Sequence, residues 1–246
     1  MPGLDWLTAR PVAHRGLHDT SAGIIENTAS AVAAAVAAGY GIEVDLQISR
    51  DGEAMVYHDD ALGRLTEGDG RLDRMDAAEL AAVPFEATSD RMMTLGELLD
   101  LVAGKSALFL ELKSHFDRDG RLPARAADVV RAYAGPVAVM SFDPWMMEAL
   151  QELAPGLPRG IVGQRAYRRA DKSPLSARDK LSYVMRGLRS RPHFVAYNVN
   201  DLPAAAPLFG RYALGLPLLT WTVRSPQERR RAERWANQMI FEGFRP

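Results

Sequence analysis

Short apolar runs recur along the chain, and most are separated by amphipathic or alanine-rich stretches. The runs at Val12–His14, Ile42–Ile48, Ala107–Leu112, Val137–Met140, Gly160–Val162, Phe194–Asn198, Leu216–Val223 and Gln238–Phe241 read as strands. Ala54–His58, after the turn at Asp51-Gly52, reads as a hairpin-like extended piece outside that series. Between the runs, the spacing predicts helices at Ala29–Ala38, Thr94–Val102, Pro123–Ala134, Pro144–Ala154, Ser176–Leu188 and Pro226–Ala236. Asp201–Tyr212 reads as a helical or irregular return, and Leu62–Asp90 as irregular. Asn27 or Thr28 can cap the alanine-rich helix, and Gly39 stands where a left-handed stop is wanted.

Eight strands alternating with helices predict the α/β class, as an eight-stranded parallel (β/α)8 TIM-type barrel. A doubly wound open sheet is the rival, disfavoured because no Gly-rich dinucleotide loop is present. The expected barrel has no full last helix, and the N-terminal segment is expected to cover part of that gap. The whole chain, 1–246, is expected to be a single domain.

Composition narrows this picture a little. Hydrophobic residues make up 47% and charged residues 25% of the 246, an ordinary globular balance. The formal net charge of −1 gives no electrostatic reason to expect nucleic-acid binding. With no cysteine, disulfides, thiolate nucleophiles and Cys-based zinc sites are excluded. No secretory signal is read at Met1–Arg10, and no apolar run approaches the roughly 20 residues of a membrane span. A cytoplasmic protein without stable membrane insertion is the expectation, with a homo-oligomer left open.

The candidate chemistry lies at the strand ends. Glu43 and Asp45 are two apart on a strand and share a face, and Glu111 and Lys113 repeat the arrangement. In a barrel, such residues converge with His14 at the mouth. Three carboxylates with one lysine repel one another, which favours a hard divalent cation, Mg²⁺ or Ca²⁺, over the plainer alternative of a buried ion-pair network. His14 and His58 are the natural acid and base. Arg15 and Lys113 could hold phosphate oxygens, although Arg15 could equally pair with a strand-end acid such as Glu43. Asn27 could be a cap or a ligand. His18, His115 and His193 lie in loop-like surroundings and read as bland. Trp221, expected to face the same way as Leu219 and Val223, could wall an apolar part of a substrate or simply pack the barrel. From Arg159 to Arg191 there are ten basic residues against two acidic ones, read as a solvated helix face ahead of an anion-steering or membrane-touching surface.

At these residues the sequence resembles the glycerophosphodiester phosphodiesterase family. The resemblance rests on an ordered set: His14-Arg15-Gly16, Glu26-Asn27-Thr28, Glu43-x-Asp45, Asp51-Gly52, His58-Asp59, Leu62-x-Arg64-x-Thr66, Thr94-Leu95, Glu111-Leu112-Lys113, Ser141-Phe142 and Trp221-Thr222-Val223. It implies the same barrel, with a small insertion after the second strand at about 51–105, and the hydrolysis of a glycerophosphodiester to sn-glycerol 3-phosphate and an alcohol. It also implies that Glu43, Asp45 and Glu111 bind the metal, that His14 and His58 are general acid and base, and that Arg15 and Lys113 neutralise phosphoryl charge. Two positions depart from the family pattern. Arg224 stands where many members have Asn, and Phe241-Glu242 where Thr-Asp is frequent. A lysophospholipase D-like enzyme and a catalytically silent barrel binding phosphodiesters or a partner are the alternatives.

Overall fold

The apolar runs form one sheet that closes on itself. The computed structural model describes residues 3–166 and 176–246. Eight parallel strands make the ring: β1 (Val12–Ala13), β2 (Gly41–Ile48), β4 (Leu108–Leu112), β5 (Val137–Ser141), β6 (Arg159–Gly163), β7 (Phe194–Asn198), β8 (Leu218–Val223) and β9 (Gln238–Phe241). Pairing of β1 with both β2 and β9 closes the barrel, which excludes the open sheet. β3 (Ala54–Val56) pairs antiparallel with β2 outside the ring, as the hairpin after Asp51-Gly52 requires.

Alternation along the strands sorts the side chains into two layers. Val12, Phe109, Phe194, Ala196, Leu219 and Ile240 are among those that fill the barrel interior. Val44, Leu46, Leu110, Leu112 and Val139 point outward to the helices. Leu7, in the 3₁₀ turn Asp5–Thr8, joins the interior cluster, and Gln238 Nε2 donates to Thr8 O at 3.0 Å. The N-terminal segment thus plugs the end of the barrel where the strands begin.

The helices follow from local chemistry. α1 (Ala29–Ala38) begins after Thr28 and stops at Gly39, whose φ is 72°. Its alanines allow close approach: a Cβ on Gly16 would lie 2.8 Å from the Ala31 Cβ. α2 (Ala77–Ala82) falls in the stretch expected to be irregular; a reciprocal capping box between Asp76 and Glu79 starts it. α3 (Leu95–Val102) is started by the same device, Thr94 with Glu97. α4 (Arg121–Val130) runs about one turn earlier than expected, because Pro123 is tolerated within the first turn. α5 (Pro144–Leu153), α6 (Ala177–Arg189), α7 (Ala205–Ala213) and α8 (Pro226–Trp235) complete the set, and no helix follows β9 among the described residues.

The insertion divides in two. Met55, Tyr57, Leu62, Leu72, Leu80 and Phe85 build a satellite core of their own around β3 and α2. Leu95, Leu98, Leu99 and Val102 of α3 instead join the main outer layer. No described helix is long and apolar enough to cross a membrane.

Candidate active site

Barrel register brings the acidic residues together. Asp45 on β2 is the direct cross-strand partner of Glu111 on β4, and Glu43 lies two residues earlier on the same inner face. Oxygens of Glu43, Asp45 and Glu111 lie within 4.8 Å of one another, and all three residues are buried. Burial, then the charges of Asp45 and Glu111, push the Glu43 carboxyl well above the usual range. Burial acts the same way on Asp45, but Lys113 and Arg15 outweigh it and hold that carboxyl well below its ordinary value.

The donor set fits a hard divalent cation. It is all oxygen, and Glu43 Oε1 is buried with no hydrogen-bond partner, an orphan that a cation would satisfy. Lys113 Nζ bridges the other two acids, 2.7 Å from Asp45 Oδ1 and 2.5 Å from Glu111 Oε1. Asn27 is not the cap of α1, which is Thr28; its side chain pairs with Asp45. Its Nδ2 donates to Asp45 Oδ2 at 2.9 Å, and its Oδ1 accepts from Asp45 N at 3.2 Å.

Arg15 is committed to carboxylates. Its backbone N–H donates to Glu43 Oε2 at 2.9 Å, its Nη1 to Glu26 Oε1 at 2.6 Å, and its Nε lies 3.1 Å from Asp45 Oδ2. Glu26 Oε1 also accepts from Arg64 Nη2 at 2.6 Å. Arg64 Nε reaches Asp59 Oδ2 at 2.5 Å, and Asp59 Oδ1 lies 2.6 Å from His58 Nδ1. One chain of ion pairs therefore runs from the acidic cluster to His58. Burial pushes the His58 imidazolium pKa down, so the neutral ring is favoured.

His14 follows β1 by one residue, and Glu242 follows β9 by one. Ala13 is registered with Phe241, so the next residues of the two strands stand side by side. His14, Arg15, Glu43, His58, Glu111 and Lys113 line one cavity of about 280 Å³ at the C-terminal end of the barrel. Trp221 lines it as well, edge-on to Phe142 with centroids 5.4 Å apart, and its Nε1 has no hydrogen-bond partner. Val223 does not share that face: a register shift between Thr220 and Val223 turns it into the outer layer.

Two lining residues, Asn198 and Asn200, have no counterpart in the sequence reading; Arg224, one of the two departures from the family pattern, also lines the cavity, and Glu242, the other, stands behind His14. A polar residue directly after an apolar barrel strand was the available signal. His18, read as bland, sits 3.8 Å from Glu242 Oε2. His115 also stands at the mouth, lining an adjoining cavity with His58, Lys113 and Phe116. His193 lies at the other end of the barrel, where its Nδ1 accepts from Arg159 N at 3.2 Å. Arg159 itself is buried there, its Nε donating to Ser190 O at 2.7 Å, so the basic stretch does not begin on the mouth face. Residues 167–175 of that stretch lie outside the described residues.

The fold and site together define a (β/α)8 barrel with three carboxylates and two histidines gathered at the C-terminal ends of its strands. The model of the Glycerophosphoryl diester phosphodiesterase family matches residues 14–244, and the chain belongs to that family, a family of hydrolases. A glycerophosphodiester phosphodiesterase of Caldanaerobacter subterraneus is 29% identical over 163 residues, 62% of this chain and 66% of that protein, just short of two thirds of its length. Among solved structures, a glycerophosphoryl diester phosphodiesterase from Silicibacter pomeroyi, itself named putative, superposes with a TM-score of 0.77 at 25% identity, covering 97% of this chain and 92% of that one. An Oleispira antarctica phosphodiesterase, solved with the product sn-glycerol-3-phosphate, gives 0.77 at 21% identity, covering 96% and 93%, and supports the fold.

Proposed function

We propose that this protein hydrolyses glycerophosphodiesters to sn-glycerol 3-phosphate and an alcohol, with a divalent cation, Mg²⁺ or Ca²⁺, held by Glu43, Asp45 and Glu111. The observation that carries the proposal is the convergence of those three carboxylates at the wall of a cavity that Glu43, Glu111, His14 and His58 line. A bound cation would supply Lewis-acid polarisation of a phosphoryl oxygen. Asn27 fixes Asp45 for that role, its Nδ2 donating to the carboxylate and its Oδ1 accepting from the Asp45 backbone N–H. Lys113 and Arg15 balance the carboxylates and leave the site cationic enough to accept a phosphodiester.

The histidines exchange the protons. His58, favoured neutral, removes one from the attacking hydroxyl. His14 gives one to the departing alcohol oxygen, so the leaving group goes as a neutral alcohol. The attacking group in this account is the neighbouring glycerol hydroxyl, forming a cyclic phosphate that water then opens. The whole chain acts as one catalytic domain, and a cytoplasmic setting belongs to the proposal.

A panel of glycerophosphodiesters assayed with Mg²⁺ and with Ca²⁺, products identified by mass, tests this. Release of sn-glycerol 3-phosphate and a transient cyclic phosphate is expected. No turnover with either metal would leave the silent-barrel alternative standing. Turnover of substrates lacking the hydroxyl, with no cyclic species, would remove the two-step route.

A lipid phosphodiester is the second reading, favoured by the aromatic lining beside the cavity. Phe142 and the exposed Phe116 line the adjoining space that shares His58, Glu111 and Lys113. Comparison of glycerophosphocholine with lysophosphatidylcholine distinguishes the two, faster turnover of the lysolipid supporting the lipid reading.

A further inference from the structure

Each histidine of the cavity is backed by a carboxylate and an arginine. Behind His58 stand Asp59 and Arg64, both from the segment after β3. Behind His14 stands Glu242, and behind Glu242 stands Arg224. His14 Nδ1 lies 2.5 Å from Glu242 Oε2, and Arg224 Nε donates to the other oxygen, Oε1, at 2.5 Å. The two positions at which the chain departs from the family's motifs are therefore in contact with each other.

The barrel fixes this arrangement through its backbone. His14 N–H donates to Phe241 O at 2.9 Å, and Glu242 N–H donates to Val223 O at 3.1 Å. Strand ends β1, β9 and β8 are thus stitched side by side, each presenting one member of the trio. The carboxylate is held ionised. Burial works against the charge, but the hydrogen bond and charge of His14 and the hydrogen bond from Arg224 outweigh it. An ionised carboxylate only accepts, so the proton in the short contact belongs to His14 Nδ1. The other ring nitrogen, Nε2, lies 3.9 Å from Glu43 Oε2, on the side of the acidic cluster.

We propose that Glu242 is the positioning residue for His14, accepting from Nδ1–H so that Nε2 is aimed into the cavity and stabilising the doubly protonated ring that gives its Nε2 proton to the leaving alcohol, and that Arg224 fixes the Glu242 carboxylate for that task. The role rests on the phosphodiesterase reading above. Glu242 touches no substrate; it acts through His14. A carboxylate behind an imidazole selects the tautomer and stabilises the ring when it carries a second proton. The competing role is structural, an ion pair that ties the ends of β8 and β9.

The test uses the full chain, metal-loaded, with glycerophosphocholine as substrate, and ¹⁵N spectra of the histidine rings. Glu242→Gln keeps the shape and removes the charge. It should lower kcat by about 10²- to 10³-fold with KM within about threefold, an effect of the kind a wrong tautomer produces. Its His14 resonances should move from the Nδ1–H pattern to a mixture of tautomers. Glu242→Asp restores the charge and should recover part of the lost kcat. Arg224→Ala should lower kcat by about tenfold, as loss of an outer hydrogen-bond partner does. It also serves if the Gln variant fails to fold.

A folded Glu242→Gln protein with wild-type kcat overturns the proposal. So does a loss of kcat with the His14 tautomer unchanged, the mark of a structural role. If the wild type turns over no glycerophosphodiester, the phosphodiesterase reading fails. The tautomer comparison between wild type and Glu242→Gln then decides the positioning role alone.

Discussion

Lys113 Nζ lies 2.7 Å from Asp45 Oδ1, so an ammonium already stands on an oxygen that a bound cation would share. Burial opposes the charge on Lys113, yet Asp45 and Glu111 outweigh it and raise the ammonium above its ordinary pKa. The lysine is thus both the internal counterion of the cluster and a competitor for it. Lys113→Met should bind Mg²⁺ or Ca²⁺ more tightly by calorimetry, melt earlier than wild type when chelated, and lose about 10²-fold or more in kcat. The early melting follows because removing one partner leaves buried acids uncompensated.

Glu43 shows the opposite balance. Its Oε1 has no partner, and its carboxyl resists ionisation. Glu43→Gln should abolish the rise in melting temperature that added metal gives the wild type. The chelated variant should melt at or above the chelated wild type, because a neutral amide relieves repulsion among the three acids. Thermal melts of both proteins with metal and with chelator check this.

A pH effect is expected far from the site. Burial, then the charge of Arg159, pushes the His193 pKa below its ordinary value. Between the folded value and the unfolded one, about 6.5, the unfolded chain binds more protons, so stability rises with pH. His193 contributes fully above about pH 6.5, and the contribution is lost as pH falls through the folded value. Its neutral Nδ1 accepts from Arg159 N, which protonation forbids. His193→Asn, which keeps an acceptor but cannot titrate, should show a flatter melting temperature than wild type as pH falls below about 6.5.

Gly16 tests the seat of the His14-Arg15 segment. Its φ is 80°, and an added Cβ would meet the Ala31 backbone and Cβ at 2.8 Å. Gly16→Ala should cost about 1–3 kcal/mol in urea unfolding. It should also lower activity, because the shift is passed to the neighbouring His14 and Arg15.

Much of this was legible in the sequence because it is local. The ring strands announce themselves as apolar runs, and Glu43-x-Asp45 and Glu111-x-Lys113 declare their shared faces by period two. Thr94 and Glu97 mark a helix start in plain text. α2 was missed because its six residues are too few to display a helical period. Val223 was assigned to the wrong face because a bulge in β8 breaks the alternation, and nothing local signals it. Glu242 lies 228 residues from His14, and only closure of the ring in the β1–β9 register makes them neighbours. Asn27 was ambiguous for the same reason: its partner, Asp45, belongs to the next strand.

The most direct measurement is metal-dependent release of sn-glycerol 3-phosphate from glycerophosphocholine, followed for wild type and for His14→Ala with metal binding measured alongside. Wild type should release it with Mg²⁺ or Ca²⁺ and not with chelator. His14→Ala should bind the metal as wild type does and lose about 10²- to 10⁴-fold in rate. Wild-type release that survives the chelator, or a His14→Ala rate equal to wild type, would contradict the account.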